Sequence, residues 1–448
     1  MSRSKAQPPR LNRALLRLAV PLLFANLAQT MLSWVDTAMV GRLGKNALAA
    51  MGPASVFFLV LFLIFSAGFM GIQTLCARRF GEQKLDVVGQ VFTNGLGVSI
   101  LVGLFAGALG IVAAEPVANF LVGDASIASM TAEYLSWRWG AVITLTTLWA
   151  YKGFFFGIGV TWFDMYLAFA MNLLNILLNW IFIFGHWGAP EMGLAGAALA
   201  SVLATAFAAS SYMIFSLQKK YRLRFSLYRG GINRDLLGRI FKLSLPRALS
   251  GFAFGAAILY FKLIGDHAGT TALAASTVIW RFFGTTVLVS LAIGTATATL
   301  VGQRLGANDP EGADATARAA VKLGVLLTGS VSLIVIFFPQ LILGWFSQDT
   351  AVVSVGTPAL RLVGIFIVID SAGIIMSRTL SAAGCVVYVM SMEFVVSLGC
   401  MLTTAFFLTK YFPDNLTVIW CSWVVYILCW YTAMATKFLA GGWKTVKI

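Results

Sequence analysis

Long apolar runs separated by short polar breaks fill the chain from end to end. A bilayer core takes about 20 largely apolar residues as one helix. Twelve runs reach that length, at 14–40, 50–76, 88–113, 127–150, 161–185, 193–217, 236–262, 270–300, 316–340, 355–379, 386–409 and 415–438. None alternates apolar and polar positions over about ten residues, as a barrel strand would. The pattern predicts an all-α integral membrane protein of twelve transmembrane helices.

Composition strengthens that reading. The chain is 59% hydrophobic and 11% charged, whereas a soluble domain needs about 25% charged residues to solvate its surface. A soluble enzyme or nucleic-acid-binding domain is thereby excluded, and the net charge of +15 reports orientation in the lipid bilayer. Basic residues cluster at the N-terminus, after the second run (Arg78, Arg79, Lys84), after the sixth (Lys219, Lys220, Arg222, Arg224, Arg229, Arg234), after the eighth (Arg304, Arg318, Lys322), after the tenth (Arg378) and at the C-terminus, while the intervening loops are poor in them, with Arg42, Lys45 and Lys410 as exceptions. The positive-inside rule then places both termini in the cytoplasm. The five cysteines lack metal-ligand spacing and read as small buried hydrophobes.

The chain repeats itself at a constant offset of 225: Pro21 falls on Pro246, Ala47-Leu48-Ala49-Ala50 on Ala272-Leu273-Ala274-Ala275, Arg79 on Arg304, Gly81 on Gly306 and Gly159 on Gly384. An offset near half the length predicts two six-helix lobes of like orientation, 1–217 and 236–448, joined by a basic cytoplasmic linker at 218–235. Two such lobes suit a secondary transporter that works by alternating access.

An ionisable group in hydrocarbon is a functional candidate by default. Asp36 lies in the outer half of the first run and Asp370 in the tenth, neither with a basic partner one helical turn away. Such a carboxyl either binds and releases a proton or, when ionised, ligates a cation. Asn175 and Asn179, four residues apart, share one helix face; their amides can complete an oxygen cage or serve as interhelical glue. Arg281 and Glu393 are the deeper of the remaining charges, while Arg138, Lys262 and Asp164 are expected to snorkel to an interface. Trp34, Trp280 and Phe254 are candidates to hold planar cations by stacking.

The chain resembles the multidrug and toxic compound extrusion family, nearest its NorM-like branch. The resemblance rests on Val35-Asp36-Thr37-Ala38-Met39-Val40-Gly41-Arg42-Leu43-Gly44, on Asn175-Ile176-Leu177-Leu178-Asn179-Trp180-Ile181-Phe182-Ile183-Phe184-Gly185, and on the repeated Arg-x-Gly ends at Gly81 and Gly306. It implies a monomeric exporter of the bacterial inner membrane that moves small organic cations or drugs outward against inward H+ or Na+. It also implies that Asp36, Asn175, Asn179 and Ser201 form the N-lobe cation site, which could hold Na+, and that Asp370 is the acidic residue of the C-lobe. NorM-like members carry a glutamate where this chain has Phe254. One carboxylate offsets ion dehydration less well than two, so the N-lobe group is the better candidate for coupling. The alternative is a flippase for a lipid-linked or amphipathic substrate, which would need a strongly cationic cleft. No phosphate-binding Gly-Lys-Ser/Thr loop is present and the two histidines, His186 and His267, lie apart, so neither direct ATP use nor enzymatic chemistry is expected, and no cofactor.

Overall fold

The computed structural model describes residues 8–253, 255–346, 349–446 and 448. These form helices and turns, with no strand among the described residues. In chain order the helices are α1 (Pro8–Gly41), α2 (Lys45–Phe65), α3 (Ala67–Gly81), α4 (Leu85–Leu121), α5 (Ala125–Gly140), α6 (Val142–Gly157), α7 (Trp162–Phe184), α8 (Gly193–Ser216) and the short α9 (Lys219–Arg222). There follow α10 (Arg234–Ala253), α11 (Gly255–Gly306), α12 (Pro310–Phe337), α13 (Pro339–Phe346), α14 (Thr350–Ala382), α15 (Val386–Phe394), α16 (Thr403–Tyr411) and α17 (Leu416–Leu439). A wide π turn, Val395–Leu402, joins α15 to α16.

Among the described residues nine helices are long and apolar enough to cross a membrane by length and composition. One of these, Arg234–Gly306, covers two of the predicted runs. Gly269, at φ 81° and ψ −179°, breaks it between them. The second and fourth runs are each shared by two helices, divided at Ser66 and at Ala141. All twelve apolar runs are therefore helical, and the protein is an all-α, multi-pass membrane protein.

Residue contacts divide the chain into two compact units, Phe24–Ala248 and the remainder, which comprises the residues up to Leu23 and Leu249–Ile448. The first unit packs α2, α5, α7 and α8 around Val40, Ala50, Phe58, Tyr134, Trp139, Ile183 and Ala198. In the second unit one core gathers about Tyr260, Ile279, Trp420 and Trp423 and another about Met376, Trp430, Met434 and Trp443. The basic segment 218–235 belongs to the first unit. It buries Tyr221, Phe225 and Leu227, and Ser226 Oγ donates to Asp86 at 2.7 Å.

The offset of 225 reappears in the backbone. Helix ends at Gly81, Leu121 and Gly157 match those at Gly306, Phe346 and Ala382, and starts at Leu85 and Ala125 match those at Pro310 and Thr350. Asp124 caps α5 by accepting from the amides of Ser126 and Ile127 at 2.9 and 3.0 Å. Asp349, its counterpart, caps α14 by accepting from the Ala351 amide at 2.9 Å; such caps satisfy orphan amides of the first helical turn.

Two helix exits also recur. The Lys84 amide reaches back to the Arg79 carbonyl at 3.0 Å, and the Asp309 amide to that of Arg304 at 2.9 Å. The preceding residues, Gln83 (φ 60°) and Asn308 (φ 54°), are left-handed, which is the Schellman exit from a helix. Gly159 (φ 84°) and Gly384 (φ 99°) make the same exit after α6 and α14, where the lack of a Cβ removes the steric penalty.

Candidate cation site

Helix α7 buries Asp164, Leu167, Ala168, Met171, Asn175, Asn179 and Ile183. Their spacing of three and four residues makes one stripe down the helix. Asn175 and Asn179 lie on that stripe, both fully buried, while Leu173, Ile176 and Leu177 face outward. The stripe meets α8 at close range. A Cβ on Gly196 would run into the Phe182 carbonyl oxygen, so only glycine lets the two backbones approach this far.

The buried amides form a chain of hydrogen bonds. Asn179 Nδ2 donates to Asp36 Oδ1 at 2.6 Å and to Asn175 Oδ1 at 2.9 Å. Asn175 Nδ2 makes a long contact with Ser201 Oγ at 3.5 Å. Both hydrogens of the Asn179 amide are therefore used, and Asp36 is held as an acceptor. The Asn179 Oδ1 atom is left buried without a hydrogen-bond partner. An orphan acceptor of this kind costs about 1–3 kcal/mol, and its position beside a carboxylate suits a proton donor or a small cation.

The predicted group of Asp36, Asn175, Asn179 and Ser201 is thus brought together from α1, α7 and α8. Sequence reasoning overlooked Asn172, although it precedes Asn175 by one turn. Its Nδ2 donates to the Ala28 carbonyl at 2.6 Å and so ties α7 to α1, the helix that carries Asp36. Asn172 was legible as the third member of the 172, 175, 179 spacing.

Trp34 is exposed. Phe254 lies outside the described residues. Trp280 packs edge-on to Phe261 and Trp423 at 5.5 and 5.0 Å within the second unit, and Arg281 on the next position is exposed. Glu393 is half-buried on α15. Asp370 is 3% exposed, with no hydrogen bond or ion pair to its carboxyl among the described residues. Its neighbour Ser371 is bonded to Ser290 across α11 and α14 at 2.8 Å.

One charge expected to snorkel does not. Asp164 is buried because Lys152 Nζ stands 2.9 Å from it and Tyr212 donates to it at 3.0 Å; a partner on α6 neutralises it in place. Arg138 sits in the last turn of α5 and is half-buried. Its guanidinium lies over the Phe58 ring, 4.1 Å from the centroid. Lys262 is exposed beside Asp266 at 3.2 Å, on the rim of a crevice of about 510 Å³ lined by Leu259, Leu263, Phe406 and Phe407. No cluster of three or more potential metal-ligating side chains of the His, Cys, Asp and Glu type occurs among the described residues.

The chain matches the MatE family over residues 21–181 and 251–407. It is 26% identical over 452 residues to the "Probable multidrug resistance protein NorM" of Thermotoga maritima, covering 98% of this chain and 95% of that one. It is 25% identical to the "Multidrug resistance protein NorM" of Vibrio cholerae, over 82% and 80% of the two chains. Among solved structures, it superimposes with a TM-score of 0.86 and 20% identity on an outward-facing MATE family transporter of the MOP superfamily, covering 96% of this chain and 95% of that one. A MOP superfamily transporter from Pyrococcus furiosus gives a TM-score of 0.87 at 20% identity, with the same coverage. At that identity the two structures speak for the fold.

Proposed function

The chain belongs to the MatE family, and on that premise we propose that it is a secondary exporter of organic cations, drugs among them, driven by inward H+ or Na+ through the Asp36 site. The names of the NorM relatives support the substrate class. The observation that carries the coupling assignment is the Asp36–Asn179–Asn175 hydrogen-bond chain, with its orphan Asn179 oxygen.

With Asp36 ionised, the carboxylate accepts from Asn179. A bound proton turns one carboxyl oxygen into a donor, which the Asn179 amide can accept only by rearranging. A sodium ion would instead use oxygens of Asp36, Asn179 and Ser201. Either event rewires the contact between α1 and α7, and a ligand that binds one wiring better than the other shifts the population between them. The basic clusters support a cytoplasmic location for both termini, and the bacterial sources of the NorM relatives support an inner membrane for the whole. A flippase would need a strongly cationic cleft, and one candidate cation, Lys262, is instead exposed and paired with Asp266.

The test is transport in proteoliposomes under separately imposed proton and sodium gradients. D36N, inserted and folded, is expected to lose gradient-driven efflux of a cationic dye, and D370N to retain it. Activity driven by sodium alone, and lost only in D370N, would overturn the assignment.

A further inference from the structure

The basic segment after α8 carries six cations, Lys219, Lys220, Arg222, Arg224, Arg229 and Arg234, and no acid from Leu217 to Arg234. All six are exposed, and none has an ion pair among the described residues. The next residue, Asp235, is taken by Arg239 at 3.1 Å. Cations of the other basic clusters do have acids beside them. Arg79 and Lys84 meet Glu82 at 2.6 and 2.9 Å, Arg304 meets Asp309 at 2.9 Å, and Arg318 and Lys444 meet Asp314 at 2.9 and 3.2 Å. Like charges held close together repel one another, so the segment calls for a counter-charge from outside the chain.

The same segment is firmly seated on its inner side. Phe225 is buried edge-on to Phe154 of α6 at 5.4 Å, and a Cβ on Gly89 of α4 would run into the Phe225 carbonyl oxygen. The Tyr228 hydroxyl lies 3.1 Å from that of Tyr151 and 2.5 Å from that of Ser216, while its amide donates to Thr93 Oγ1 at 3.2 Å. Asn94 accepts from the Asn233 amide at 2.9 Å and donates to the Gly231 carbonyl at 3.3 Å. Asp86, an acid against this segment, accepts from Ser226. The cations are thus displayed from a fixed scaffold, together with Leu217, Leu223 and Ile232, which are 45%, 59% and 86% exposed.

We propose that residues 217–234 form a docking surface for anionic phospholipid in the adjoining leaflet, the cytoplasmic one by the positive-inside rule. Position argues for lipid, because the segment directly follows Gly193–Ser216, a helix long and apolar enough to cross the membrane, so its cations begin at headgroup level. Composition argues the same way. Large apolar side chains set among cations are poorly placed in water, but at the boundary of headgroups and acyl chains they add buried apolar area to the attraction for anionic headgroups. A free anion would satisfy the charge and leave Leu217, Leu223 and Ile232 facing water. Each cation near such a surface strengthens binding by roughly fivefold.

The experiment measures binding of short-chain phosphatidylglycerol to the purified full chain in neutral detergent, against short-chain phosphatidylcholine, glycerol phosphate and an acidic peptide. Phosphatidylglycerol should bind most tightly of the four and weaken as salt rises. Lys219→Gln combined with Lys220→Gln should weaken it by at least about tenfold. Arg318→Gln combined with Lys444→Gln, which removes the same net charge from paired cations, should stay within about twofold of wild type. Leu223→Asn combined with Ile232→Asn should weaken phosphatidylglycerol and leave glycerol phosphate unchanged. All four substituted residues of the segment are exposed, and an unaltered melting temperature confirms that each variant is folded. Folded Lys219 and Lys220 variants that keep full affinity would overturn the proposal. So would glycerol phosphate binding as tightly as the lipid, which would make the segment a plain anion patch, or an acidic peptide binding more tightly, which would make it a protein-docking surface.

Discussion

Asp36 and Asp370 are both carboxyls on long apolar helices, yet the two units surround them differently. In the unit Phe24–Ala248 the carboxylate receives a 2.6 Å hydrogen bond from an amide that also bridges to a second asparagine. In the other unit Asp370 is buried with no hydrogen bond to its carboxyl among the described residues. By the offset of 225, Asp36 corresponds to Phe261, Asn175 to Cys400, and Asp370 to Leu145. Phe261 packs on Tyr260 and Trp280, so aromatic packing stands where the first unit has an acid. Caps and turns recur while the polar interior does not. Backbone and chemistry are therefore separable in this fold, and among the described residues the carboxylate–amide group is found in the first unit alone.

The largest test of that contrast is Asn179→Ala against Thr404→Ala, its counterpart by the same offset. Losing Asn179 removes two buried hydrogen bonds and leaves a carboxylate without its donor, at about 1–3 kcal/mol. Efflux in proteoliposomes should drop by about 10- to 100-fold, while Thr404→Ala should stay within about twofold of wild type on the same scale. Equal losses would mean that both units share the coupling chemistry.

Next in size are the turns. Gly159→Ala and Gly384→Ala place a Cβ on left-handed residues, at about 1–2 kcal/mol each. The second should cost more, because that Cβ would also meet Ile448 and Val446 at 2.5 and 3.2 Å. Thermal unfolding in detergent measures both, and a silent Gly159→Ala would break the equivalence of the two exits.

The smallest effect concerns Glu82, in the loop after α3. Partial burial pushes its carboxyl up, but hydrogen bonds from Arg79 and Lys84 and their charges outweigh this and hold it below the usual carboxylate range. A depressed carboxyl stabilises the fold above its unfolded value and loses that contribution as pH falls through the folded one. Glu82→Gln should therefore lower the melting temperature slightly at neutral pH, with the difference vanishing in acid below the ordinary carboxylate range. A difference that persisted there would show that the carboxylate charge is not its source.

Much of this was readable from residue types alone. The spans follow from apolar length, and Asn175 with Asn179 stood out because amides on an otherwise apolar helix have few reasons to be there. Ser201 entered only through the family resemblance, since a lone serine in a helix is commonplace. The misreading of Asp164 has a plain cause: it was assigned to an interface because its partners, Lys152 and Tyr212, come from helices distant in sequence. The division of the fourth run at Ala141, against the unbroken α14, and the π turn at Val395–Leu402 have no sequence signal that we can identify.

The paired exits at Gln83 and Asn308 carry a historical consequence. Turns placed in one register in both units are the mark of an ancestral half-length chain that was copied and joined to itself. Such a duplication leaves each copy free to drift, provided that its folding signals survive. Phe261 and Leu145 would then be the places where each copy gave up what the other kept, and Gln83, which is neither glycine nor asparagine yet remains left-handed, shows how strongly the turn itself was retained.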